Sequence, residues 1–360
     1  MLADILLRSV VFILGVLIVV RTLASAVRTL VLPRSARDPI ALLVFGIVRR
    51  VFNLRAHKLT SYERRDGIMA LYAPVSLLAL PVVWLVLILL GYVGIYWALG
   101  AGDLYHAFTL SGSSLFTLGF ERQDEWVMMA AMFSEAAIGL ILIALLISYL
   151  PTMYGAFSRR ETAVTMLEVR AGNPPSVLEM ISRAHRIRGL DALTPLWEEW
   201  EVWFSDIEES HTSLAALVFF RSPNSGRSWV TASGTILDTA AFCASSLDRP
   251  RNPSAELCIR AGYIALRAVA DYFQVDYNAN PASTDPISIS REEYDAVYDE
   301  LAALGVPLKP DRNQCWRDFA GWRVNYDTVL LALAALTMAP YAPWSSDRSL
   351  PRVRRRWLHK

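Results

Sequence analysis

Apolar residues are concentrated before residue 160, and only after it do charged positions recur as in an ordinary globular sequence. From Gly67 to Gly102 no charged residue occurs, while Tyr72, Tyr92, Tyr96 and Trp97 fall toward the ends of the run, as interfacial aromatics do. The pattern predicts a transmembrane helix over 68–99, with Pro74 and Pro81 near its start. A second span is predicted over 126–158, interrupted by one charged residue, Glu135, and closed by Arg159 and Arg160.

The N-terminal run from Ser9 to Val20 is short, but Arg8 and Arg21 can snorkel, so Ile5 to Ala24 suffices to span. Ala24, Ser25 and Ala26 resemble a leader cleavage site. Asp4, the lack of a basic cluster before Arg8, and Arg21 between run and site favour an uncleaved helix over 1–27. Between Arg28 and Asp66, nine Arg or Lys residues stand against three acids, which by the positive-inside rule makes 28–67 cytoplasmic. A multi-pass protein of the plasma (inner) membrane follows, with its N-terminus outside and its C-terminal half cytoplasmic. Asp38 and Pro39 mark a helix start, and the segment 38–54 is either interfacial or membrane-inserted.

The outer connection reads GAGDLYHAFTLSGSSLFTLGFERQDEW. With Asp103 as cap, a helix over 103–116 is about 20 Å long, too short to span but long enough to dip into the membrane and return. Non-helical backbone at that depth must be covered by protein or line a watery cavity. The helix would also aim its partly negative carbonyl end inward, which favours a cation.

Helix, short tilted helix, Thr117-Leu118-Gly119-Phe120 and second helix resemble the pore module of the two-transmembrane potassium channel family, whose filter reads Thr-Val-Gly-Tyr-Gly. The resemblance covers residues 68–161: outer helix 68–99, pore helix 103–116, filter 117–121 and inner helix 126–158, with Gly139 near the hinge position. It implies that Thr117, Leu118, Gly119 and Phe120 replace the hydration shell of a permeating monovalent cation, potassium before sodium, and that four copies surround it. One filter strand cannot encircle an ion, so a homotetramer is expected.

The chain departs from the family at Glu121, where the filter's second glycine should stand, which puts selectivity for potassium over sodium in doubt. Asp103, Glu121, Asp124 and Glu125 against Arg122 alone give an acidic outer mouth that would concentrate cations. Glu135 sits about 15 Å along the inner helix from Glu125, level with the pore helix. It is expected to brace the filter through the serines behind it, Ser113 and Ser114, or to face the cavity.

Residues 162–360 read as an all-helical cytoplasmic domain, with helices over 176–187, 192–209, 212–220, 228–246, 253–274, 290–304, 311–321 and 323–338. The inner helix is expected to run on past the membrane to a stop at Ala171-Gly172-Asn173-Pro174-Pro175. Trp197, Trp200 and Trp203 share one helical face and are expected to pack. His211 is expected at a surface or interface, and the run Val329 to Ala339 as a buried core helix rather than a fourth crossing. Arg221, Arg227, Arg260, Arg267, Arg317 and Arg323 suit either an anionic effector site or structural ion pairs. The cluster Arg352-Val-Arg-Arg-Arg356 with Trp357 and Lys360 suits either anionic lipid or solvent.

Composition narrows the function classes. The chain is 54% hydrophobic and 19% charged, with a net charge of +1, so no basic field points to nucleic acid. The three cysteines, Cys243, Cys258 and Cys315, lack disulfide or zinc spacing. No Walker loop, dinucleotide turn, nucleophile elbow or HExxH occurs, so neither an enzyme nor a resident cofactor or metal is expected. The all-α membrane protein is read as a cation channel with an unknown cytoplasmic ligand or partner. The alternative is a non-conducting, membrane-anchored scaffold or sensor.

Overall fold

The computed structural model describes residues 2–32 and 38–348; the Arg352–Arg356 cluster lies outside them. The described residues form thirteen α-helices and no extended strand, only an isolated bridge between Leu247 and Leu308. They are α1 (Leu2–Leu30), α2 (Pro39–Ala56), α3 (Tyr62–Ala70), α4 (Tyr72–Leu99), α5 (Leu104–Leu115), α6 (Trp126–Ala171) and α7 (Val177–Ile187). After these come α8 (Leu193–Ser213), α9 (Trp229–Ser246), α10 (Pro253–Tyr272), α11 (Arg291–Ala303), α12 (Arg312–Arg323) and α13 (Asp327–Thr337). Three stretches, Leu2–Leu30, Tyr62–Leu99 and Trp126–Ala171, are long and apolar enough to cross a membrane.

The chain divides into two compact units, one of residues 1–58 and 71–155, the other of residues 59–70 and 156–360. The outer helix expected over 68–99 begins instead at Tyr72, because residues up to Ala70 belong to α3 and only Leu71 separates the two. Pro74 falls in the first turn of α4, where its missing N–H costs nothing.

In the first unit, α1 and α4 cross at glycines. A Cβ on Gly15 would lie 2.5 Å from the Gly91 carbonyl oxygen, and one on Gly91 would lie 2.8 Å from Val19 Cγ2. Small residues let the two backbones touch, the usual device where lipid supplies no hydrophobic drive for helix association. Lower on the same pair, the Trp84 indole donates to Ser25 Oγ at 2.9 Å and Ser25 donates to Asp38 Oδ2 at 2.6 Å. Asp38 also caps α2 by accepting from the Ala41 N–H at 2.8 Å, so one buried carboxyl ties α1, α2 and α4.

The second unit is built around α9, whose residues are buried on nearly every side. Trp197, Trp200 and Trp203 are buried, as the stripe along α8 requires, and α13 lies in the core. His211 corrects the expectation of an exposed or interfacial histidine: it is fully buried, because the stripe through Trp200, Phe204 and Ile207 continues to it in helical steps. Arg160 Nη1 lies 3.2 Å from His211 Nε2, and burial, with Arg160 beside it, holds the imidazole pKa well below its ordinary value.

Three of the arginines, Arg221, Arg227 and Arg323, pair with carboxylates. Arg323 is fully buried between Asp238, at 2.5 Å, and Asp327, at 2.7 Å, and also donates to the Trp344 carbonyl. Arg267 donates to the Asn325 and Ala279 carbonyls, and Arg317 to Gln314.

Candidate functional site

The site is the connection from α4 to α6 and the side chains that hold it. Asp103 begins α5 by accepting from the His106 N–H at 2.9 Å, and its Oδ1 lies 2.7 Å from the His106 ring. These two bonds hold the Asp103 carboxyl below the ordinary carboxylate range. The helix expected over 103–116 therefore exists as Leu104–Leu115. Its buried stripe, Ala107, Leu110, Ser111 and Ser114, follows the helical period.

Beyond Leu115 the backbone takes a positive φ at two of three successive residues, the first of them closing α5 with the Thr117 and Leu118 N–H groups on the Ser114 and Ser113 carbonyls. Thr117 has φ +54° and Gly119 φ +73°, while Leu118 and Phe120 lie outside the left-handed region. A β-branched residue at positive φ is an outlier, costing on the order of 1–2 kcal/mol. Nothing would touch a Cβ on Gly119, so glycine is required there by the backbone and not by crowding. The side chains of Phe116, Leu118 and Phe120 are exposed in the isolated chain.

Glu121 is outside the left-handed region. Its N–H donates to Ser113 Oγ at 3.1 Å, and its carbonyl accepts from the same hydroxyl at 3.3 Å. Ser113 thus fastens the far end of the strand back to α5. Of the other acidic residues expected at the mouth, Asp124 accepts from Arg122 Nε at 3.0 Å in an exposed pair, and Glu125 is exposed at the start of α6. The pairing of Arg122 with Asp124 offsets part of the acidic field that the sequence suggests.

Glu135 is completely buried. Its partners are not Ser113 and Ser114: Ser111 Oγ donates to Oε1 at 2.5 Å, and the Tyr96 hydroxyl donates to Oε2 at 2.8 Å. One carboxyl therefore joins α4, α5 and α6, and a second tie, Tyr92 to Ser134 at 2.7 Å, lies beside it. Tyr96 and Ser111 are the residues the sequence reading missed. The helical period of α5 carried the signal for Ser111, since it places that hydroxyl inward with Ala107 and Leu110, where it needs a partner.

Gly139 also acquires a definite contact. A Cβ there would lie 2.5 Å from the Leu115 carbonyl oxygen, so glycine lets α6 press against the end of α5 immediately before the strand. The helix continues unbroken through it. Among the described residues no group of three or more His, Cys, Asp or Glu side chains could hold a metal ion. Comparison with models of known families, with curated proteins and with solved structures finds no match.

Proposed function

We propose that the chain is a subunit of a membrane channel conducting monovalent cations, with Thr117, Leu118, Gly119 and Phe120 as its selectivity filter. The observation that carries this reading is the placement of these four residues directly after the C-terminus of α5, with positive φ at Thr117, where the Thr117 and Leu118 N–H groups cap the Ser114 and Ser113 carbonyls, and again at Gly119. Glycine at positive φ gives the chain a backbone direction that other residues rarely adopt, as a filter needs where its carbonyls turn toward an ion. In the proposed tetramer the carbonyl oxygens of these residues replace the hydration shell of the cation.

Three further features support it. The carbonyl end of α5 adjoins the strand and adds partial negative charge. The Thr117 and Leu118 N–H groups bond the Ser114 and Ser113 carbonyls, which ties the start of the segment to the end of α5. Leu118, Phe120 and α6 residues such as Phe133 and Leu140 are exposed in a single chain, as they must be if further copies cover them. The proposed assembly is a homotetramer in the plasma membrane, with the N-terminus outside and the second unit cytoplasmic, where a ligand or partner gates it. Potassium is the favoured ion. Because no positive φ follows at Glu121, its preference over sodium is expected to be modest.

Cation flux into proteoliposomes containing only this protein tests the reading, with potassium, sodium and a Gly119→Ala control. Potassium flux that is lost in Gly119→Ala, with assembly unchanged, is the expected result. Flux retained in Gly119→Ala overturns the filter assignment, and a fluxless monomer or dimer favours the scaffold.

A further inference from the structure

Within the second unit, the segment before α9 reads Arg221-Ser-Pro-Asn-Ser-Gly-Arg-Ser228 and carries two arginines that face carboxylates on other helices. Arg221 pairs with Asp66 of α3 and donates to the Thr337 carbonyl at 2.6 Å. Arg227 pairs with Glu168 of α6 and reaches Thr165 Oγ1 at 3.1 Å. Between them a recess is lined by Asp66, Arg221, Ser222, Arg227, Ser228 and Trp229.

Two features of this recess suit an anion. It lies at the N-terminus of α9, an 18-residue helix whose cap, Ser228, takes only the Val230 N–H. The N–H groups of Trp229 and Thr231 have no intrahelical acceptor, and the helix end carries partial positive charge. Independently, the Ser222 hydroxyl lines the recess, is buried and has no hydrogen-bond partner. A buried hydroxyl without a partner is costly and calls for an acceptor. Asp66 and Glu168 are each matched by an arginine, so the field left over is that of the helix end, which repels a cation.

We infer that this recess binds a phosphate-type oxyanion, either inorganic phosphate or the phosphate of a small solute or lipid headgroup. The Ser222 hydroxyl and the first turn of α9 donate to it, and Arg221 and Arg227 flank it. An oxyanion that competes for the two arginines loosens their hold on Asp66 and Glu168. Asp66 lies on α3, one residue from α4 in the chain, and Glu168 lies on the helix that carries Glu135. That consequence for gating rests on the channel reading; the binding itself does not.

Thermal unfolding of the full chain in detergent, with inorganic phosphate against chloride at equal ionic strength, tests the site without reference to conduction. At a tenfold excess over the dissociation constant the midpoint is expected to rise by about 2 °C. The rise is lost in Ser222→Ala, whose midpoint without phosphate is no lower than that of the parent, because the substitution removes an unpaired hydroxyl. A rise seen only in phosphatidate nanodiscs, and lost in the same variant, supports the site with a lipid as source. No rise in either medium, or one that Ser222→Ala leaves intact, overturns it.

Discussion

The Tyr96 hydroxyl donates to the buried Glu135 carboxyl at 2.8 Å, and the other carboxyl oxygen takes Ser111 at 2.5 Å. Each oxygen of Glu135 thus has a hydroxyl from a different helix, and removal of either leaves a buried acceptor short of its partner. Tyr96→Phe is expected to cost about 1–3 kcal/mol. Glu135→Gln should cost less than Glu135→Ala, because the amide keeps the volume and one acceptor. Thermal unfolding of the purified assembly reads these differences, and unchanged midpoints in Tyr96→Phe and Glu135→Gln would remove the brace.

Gly139 is predicted to matter through contact. In Gly139→Ala the new methyl meets the Leu115 carbonyl oxygen at 2.5 Å, a distance real Cβ atoms do not tolerate, so α5 or α6 must shift. Overpacking of this kind costs about 1–3 kcal/mol. The shift falls two residues before Thr117, so reduced flux is expected together with reduced stability. Reduced flux at full stability would instead return Gly139 to a hinge role.

The long elements were legible because apolar runs and caps act locally: Asp103 predicts the start of α5, and Ala171-Gly172 the end of α6. At the start of α11, Ser290 and Glu293 form a capping box, a local signal of the helix expected over 290–304. What escaped depends on the third dimension. Nothing local in Tyr96 distinguishes it from an interfacial aromatic; only its position across from Glu135 makes it a partner. The α1–α4 crossing at Gly15 and Gly91 was equally hidden, since each glycine is informative only once the other is opposite it. His211 lies on the apolar stripe of α8 with Trp200, Phe204 and Ile207, and that stripe, not the polar character of the ring, determines its burial.

The burial of His211 has a consequence for pH. The folded chain holds its pKa well below 6.5, through burial first and the Arg160 charge second, so the native state keeps it neutral where an unfolded chain would bind a proton. Stability is therefore independent of His211 above about pH 6.5 and falls by about 1.4 kcal/mol per pH unit as pH drops below that value. The loss continues until the depressed folded pKa is reached. His211→Gln removes this limb, and a midpoint that falls equally in parent and variant between pH 6.5 and 5 would contradict it.

Thr117 combines strain with a hydroxyl at the start of the strand, and two substitutions separate them. Thr117→Gly relieves a β-branched residue at φ +54°, a gain of about 1–2 kcal/mol, and adds about 0.5–1 kcal/mol of chain entropy to be lost on folding. The relief of strain outweighs the entropy, so the glycine variant should assemble with stability equal to or slightly above that of the parent. If the segment is the proposed filter, the variant lacks the hydroxyl proposed as an ion ligand, and potassium flux is expected to fall. Thr117→Ser keeps the hydroxyl and should retain most of the flux. Equal flux in the glycine variant, measured in proteoliposomes beside the serine variant, would exclude Thr117 from the ion path and confine the filter to Leu118–Phe120.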